Sequence, residues 1–163
     1  MKLIKSLSLT ILTGLAILSV AITAQAQVVH RVHVGGPDLC EAFGLTPGCD
    51  ANFSLSAIKF ANGEVVGQFS DRWSRNSGFH AVIDCLSVDG NDAWVSGVVT
   101  QGHAGDFDLV GIEVAARVRD NGRSKNDPPD EISFSELGLV VPSCNEQLDY
   151  VLFDVPQGQV VVK

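Results

Sequence analysis

Positive charge is what this chain most lacks: 11 lysines and arginines stand against 19 aspartates and glutamates, a net charge of −8. A surface that acidic repels phosphate backbones and anionic lipid headgroups, so nucleic-acid binding is disfavoured. No G-x-S-x-G elbow occurs, and Ser96 in "WVSGV" sits in a strand pattern, which argues against a serine hydrolase of that design. No C-x-x-C spacing occurs either, so a thiolate zinc site is disfavoured. Nor does any stretch after residue 26 hold apolar residues at helical spacing for long.

One long apolar run is present, at the very start. In "MKLIKSLSLTILTGLAILSVAITAQAQ", Lys2 and Lys5 precede an apolar stretch, and Ala24-Gln25-Ala26 ends it with small residues. That layout is a secretory signal, with cleavage expected after Ala26. Gln27 and not cysteine follows, so a lipid-anchored form is not expected. No second such run follows, so membrane insertion after cleavage is not expected either. The destination read from this leader is secreted or periplasmic.

Export changes the meaning of the four cysteines, Cys40, Cys49, Cys85 and Cys144. An even number in an oxidising compartment reads as disulfides. Cys40 and Cys49 bracket a short segment rich in turn formers, which makes that pair easy to close. Cys85 and Cys144 then remain as a long-range staple. Residues 27–50 read as an N-terminal arm closed by the first bridge, and residues 51–163 as a β-domain.

The β assignment rests on alternation. In "LVGIEVAARVRD", Val110, Ile112, Val114, Ala116 and Val118 share one face, with Glu113, Arg117 and Arg119 on the other. Successive strand side chains point to opposite faces, so the pattern predicts one buried and one wet side. "NFSLSAIKF" and "FHAVIDCLSV" each switch phase midway, as a β-bulge would require. Gly67 and Gly97, inside strands, suit points where a wall bends. Asn-Gly and Asp-Gly turns near residues 62, 89 and 121 separate the runs. The expected fold is all-β: a single antiparallel meander forming a small barrel, with a β-sandwich as the alternative. The order of "CLSVDGNDAWVSGVV", "VRDNGRSKNDPPDEIS" and "GQVVVK" resembles a group of small, uncharacterised exported bacterial proteins. That resemblance implies a β-rich exported domain and carries over no site residue.

Candidate sites are few. Residues 120–133 gather Asp120, Asn126, Asp127, Asp130 and Glu131, oxygen donors numerous enough for a weak calcium site. Their spacing does not follow the helix-flanked calcium loop, and Pro128 and Pro129 suit a stiff connection, so a solvated loop is the leading expectation. Trp73, beside Arg72 and Arg75, is the better of two tryptophans for stacking on a partner, although core or rim packing is expected of both. His30, His33, His80 and His103 read as exposed imidazoles, with His80 in phase with Asp84. The function expected is a non-catalytic binding or structural module, its partner a protein, a glycan or a small apolar ligand. The alternative is a small exported hydrolase using acidic residues and His80 in a barrel mouth. No cofactor is expected beyond the calcium alternative.

Overall fold

The computed structural model describes residues 26–37, 52–74, 76–122, 124, 126–155 and 159–163. Cys40, Cys49 and Arg75, and residues 1–25 of the leader, lie outside them. Five long strands open the fold: β1 (Val28–Pro37), β2 (Asn52–Phe60), β3 (Val65–Ser74), β4 (Ser77–Asp89) and β5 (Asp92–Ala104). Shorter ones follow: β6 (Phe107–Asp108), β7 (Glu113–Arg119), β8 (Glu131–Ser133), β9 (Glu136–Gly138), β10 (Leu152–Asp154) and β11 (Gln159–Val162). No α-helix occurs among the described residues.

The eleven strands among the described residues belong to one antiparallel sheet, ordered β10-β8-β7-β5-β4-β3-β2-β1-β11, with β6 on β5 and β9 on β7. The fold is the expected all-β one, curled into a half-barrel. Neighbours are sequential from β1 to β5, and short turns join β2 to β3, β3 to β4 and β4 to β5. The last strand leaves the meander and pairs with the first, Val32 opposite Val162 and Val34 opposite Val160.

The start of the expected arm is therefore structural. Residues 28–37 are hydrogen-bonded on both sides, to β2 and β11, and Val32 and Val34 are buried in the core. Inward side chains of β1 to β5, β7, β8 and β11 meet in one cluster around Leu55, Phe69, Ile83, Leu86, Val95 and Val118.

The phase switches resolve differently. In β4, Ile83 pairs with Gly97 and Cys85 with Ser96, so Asp84 is the extra residue of a bulge. In β2 the pairing with β3 has no slip; Ile58 simply points outward, opposite Val66. The irregularity lies across the ladder, in β1 between Val28 and His30. Gly67 and Gly97 both sit where another residue would not fit: a Cβ would lie 2.7 Å from Ala57 Cβ and 2.0 Å from Val82 O respectively.

The strand expected over 110–118 begins later, at Glu113. Gly111 adopts φ 84°, and the turn it makes reverses the phase, so Leu109 is buried while Val110 is 56% exposed. The face expected to be wet is also covered. Ala115 and Arg117 are buried, because residues 143–149 lie across the outside of β4, β5 and β7 as a strap. The Cys85–Cys144 disulfide pins this strap. Cys144 N donates to Ser96 Oγ (3.3 Å), Gln147 Nε2 to Ser87 Oγ (2.9 Å) and Trp94 Nε1 to Leu148 O (2.8 Å).

The curl is fastened by side chains where no ladder closes it. Pairing with β1 uses the N–H groups of Val161 and Lys163, which leaves those of Val160 and Val162 pointing away. Val160 N donates to Asp130 Oδ2 (2.8 Å) and Val162 N to Asp120 Oδ2 (3.1 Å). The edge of β11 is thus satisfied by two carboxylates from the end of β7 and the loop beyond it. Asp130→Ala would strand Val160 N and Asn121 N, and should lower stability by about 2 to 3 kcal/mol in a urea titration. Asp127→Ala, on the exposed part of the same loop, should cost less than about 1 kcal/mol.

Candidate functional site

The acidic stretch does not converge on a point. Asp120 Oδ1 accepts from Gly122 N (3.1 Å) and Asp127 Oδ2 from Ser124 N (2.7 Å). Asp130 is buried, its Oδ1 taking the N–H of Asn121 (2.9 Å). Glu131 accepts from Asn121 Nδ2 (3.2 Å) and lies 3.6 Å from Arg119, while Asn126 is exposed and uses its own N–H on Ser124 Oγ. Among the described residues no three His, Cys, Asp or Glu side chains are placed to hold a metal ion. The expectation of acids pointing to water is corrected here. Asp120 and Asp130 hold backbone N–H groups of β11, and that bonding shapes the loop.

The aromatic candidate separates as well. On β3, Phe69, Asp71 and Trp73 alternate inward, while Ser70, Arg72 and Ser74 point out. Trp73 is half-buried, edge-on to Phe79 with ring centres 5.9 Å apart, and packs against the core. Arg72 is on the opposite face, so the two do not form one binding element.

Arg72 belongs to another arrangement. The outward residues at the upper ends of β3, β4 and β5 line an open groove of about 350 Å³. Its walls carry Ser70, Arg72, Ser77, His80, Gln101 and His103. The floor is backbone, because Gly78 and Gly102 carry no side chains. A Cβ on Gly102 (φ 147°) would lie 2.5 Å from Gly78 O, and one on Gly78 (φ 156°) would meet Asp71 O even more closely. At these positions only glycine fits without a shift of the backbone.

Strand pairing sets the side-chain geometry. Ser70 lies opposite His80 in the β3–β4 ladder, and Ser70 Oγ is 2.5 Å from His80 Nδ1. His80 pairs in turn with Gln101 of β5; Thr100 has no partner in the ladder and its hydroxyl donates to His80 O (3.2 Å). Gly105 N donates to Ser77 Oγ (3.1 Å), tying the tip of β5 to the start of β4. Asp71 Oδ2 is drawn to the other face by Ser135 Oγ (2.6 Å). Besides Asp71 and Phe79, the lining side chains are hydroxyls, amides, two imidazoles and one guanidinium, most of them on strands. That set can donate and accept hydrogen bonds to a polar ligand.

The sequence signalled His80 and Arg72 but not their partners. Counting back from the turn, where Ser74 pairs with Ser77, would set Ser70 opposite Ala81; a register shift between Arg72 and Ser74 brings it opposite His80 instead, and the sequence does not mark that shift. The roles of Gly78 and Gly102 had no signal either, since they depend on backbone approach between strands.

A second polar cluster lies under the strap. Arg117 donates from Nε to Asp92 Oδ1 (2.9 Å) and also bonds Asp149, while its guanidinium sits 5.1 Å from the centre of the Trp94 ring. Burial opposes the charge on Arg117, but the bonds to Asp92 and Asp149 outweigh it and raise its pKa. Arg117 and Asp92 are covered here, while Asp149 caps them from the exposed side. Comparison with protein-family models, with curated proteins and with solved structures finds no match for the chain.

Proposed function

We propose that this protein is an exported, non-catalytic binding module whose ligand lies in the groove across β3, β4 and β5. The observation that carries the reading is the groove itself: about 350 Å³ of open space lined mainly by polar residues of three paired strands. Sites on strands hold their geometry better than sites on loops, which favours recognition without induced rearrangement. The hydroxyls, amides and imidazoles of the groove favour a polar ligand over a small apolar one. Export rests on the leader sequence.

The test is a titration of isotope-labelled protein with soluble oligosaccharides, read as amide shifts. Shifts should cluster at Ser70, Arg72, Gly78, His80 and Gln101. Gln101→Ala should weaken binding by about five-fold, the value of one hydrogen bond. Val66→Ala, on the same outer wall but away from the groove, should leave affinity unchanged. Shifts centred elsewhere, or none at all, would remove the groove as the site.

One observation favours the hydrolase alternative: the Ser70–His80 contact has the reach of a nucleophile and its base. The acids do not join it, since Asp71 is bonded to Ser135. Covalent labelling of Ser70 by a fluorophosphonate, lost in His80→Gln, would favour catalysis over binding.

A further inference from the structure

We propose that Gln27, once the leader is removed after Ala26, closes into a pyroglutamate ring that seals the start of β1. The inference is independent of the groove and rests on the same leader sequence as export.

The chemistry is contained in one residue. Cleavage between Ala26 and Gln27 frees the α-nitrogen of a glutamine. That nitrogen attacks the side-chain Cδ of the same residue, and the new N–C bond closes a five-membered lactam. The C–N bond of the side-chain amide breaks, and its nitrogen takes a proton from the amine and leaves as ammonia. No oxidant or co-reactant is needed. An α-amine titrates near pH 8, so about a tenth of it is the neutral nucleophile at pH 7. Amine and amide belong to one residue, so the closure is intramolecular and has no encounter cost.

The surroundings leave room for the ring. Gln27 is exposed, and among the described residues no hydrogen bond holds its side chain. Its backbone carbonyl accepts from Ala61 N (2.8 Å), at the end of β2. The ring consists of N, Cα, Cβ, Cγ and Cδ, so it forms on the other side of Cα from that carbonyl. β1 therefore keeps this bond while its end changes.

What the ring protects follows from burial along β1. Val28, Val29 and Arg31 are exposed and His30 is half-buried; the first buried side chain is Val32. The residues before Val32 are held mainly by backbone pairing and lie within reach of an exopeptidase. Arg31 matters most among them. Its N–H donates to Lys163 O (2.8 Å) and its carbonyl accepts from Lys163 N (3.0 Å), extending the β1–β11 ladder past Val32 and Val162. Trimming through Arg31 frees the end of β11, the strand that pairs the end of the chain with its start. An aminopeptidase requires a free α-amine, and the lactam has none.

The experiment expresses the full precursor with its leader in a bacterial host and collects the exported protein for intact-mass measurement and N-terminal sequencing. Gln27→Ala, which lacks the amide, is treated in parallel. The wild type is expected to begin at Gln27, to weigh one ammonia less than the open chain, and to give no sequence until pyroglutamyl aminopeptidase removes the ring. Folded wild type should then keep its mass in a broad-specificity aminopeptidase, while Gln27→Ala is shortened by several residues and its Lys163 amide exchanges faster. Wild type whose ring has been removed enzymatically serves as a second open-ended form and should be shortened likewise. A mature end at any residue other than Gln27, or an open Gln27 of full mass that persists through days at neutral pH, overturns the ring. Open-ended forms that resist the aminopeptidase as well as the sealed one overturn its protective role. Ligand binding in the groove is unaffected by either result, so the two readings fail separately.

Discussion

Replacing Cys85 and Cys144 together by alanine is expected to lower the unfolding free energy by about 4 kcal/mol. The bridge spans 59 residues of sequence, and in the chain-entropy model a crosslink of that length removes many conformations from the unfolded chain. Its folded-state role is local: it fastens the strap over the outer faces of β4 and β5. Without it the strap is held by the hydrogen bonds from Trp94, Ser96 and Gln147 and by the ion pair of Arg117. Net hydrogen-bond contributions near 1 kcal/mol each do not compensate for the entropy of a freed segment. Strap release should therefore accompany the stability loss. In a Trp73→Phe background, emission from Trp94 reports it, since that ring is 7% exposed only while covered. A loss below about 1 kcal/mol, with Trp94 emission unchanged, would mean that the noncovalent contacts hold the strap unaided.

The strap explains where reading the sequence stopped short. Alternation along "EVAARVR" identified Val114, Ala116 and Val118 as inward, and all three are buried. The same alternation assigned Arg117 to water, because a charged residue out of phase with the core normally faces solvent. Nothing local marks that residues some thirty positions later return to cover it. The long-range cysteine pair was the available clue, as a bridge from β4 to residue 144 brings the late segment onto the outer wall.

The same limit applies to the acids of residues 120–133. Their composition suits calcium, but carboxylates are equally good acceptors for unpaired N–H groups at a sheet edge, and composition does not separate the two uses. Which use prevails depends on where β11 lies, a fact of topology set by its pairing with β1. The hairpins were legible because turn chemistry is local. The groove was half legible: His80 and Arg72 stand out as polar residues in β patterns, while the backbone floor at Gly78 and Gly102 arises only when three strands meet.

Arg117→Ala carries the second large effect, and it reverses the ranking that alternation alone predicts. The truncated side chain leaves Asp92 with one cationic partner, Arg119, whose Nε remains 3.1 Å from it. It also uncovers the face of Trp94 and frees Asp149, which is already exposed to water on its own side. Removing one partner of a buried ion pair costs roughly 3 to 5 kcal/mol, and the surviving Arg119 contact places this case at the lower end, about 3. Arg117→Lys should recover only part of that, since an ammonium cannot reproduce the planar fork or its stacking on the indole. Ile112→Ala, by contrast, should cost about 1 to 2 kcal/mol, because Ile112 is only partly buried at the margin of the core. Urea titrations of the three variants give the order directly. A double-mutant cycle with Asp92→Asn then separates the ion pair from the packing on Trp94, with a coupling of about 1 kcal/mol or more expected for groups in contact. Coupling near zero, together with a loss from Arg117→Ala smaller than that from Ile112→Ala, would return Arg117 to the solvent-facing role that the strand pattern alone assigns it.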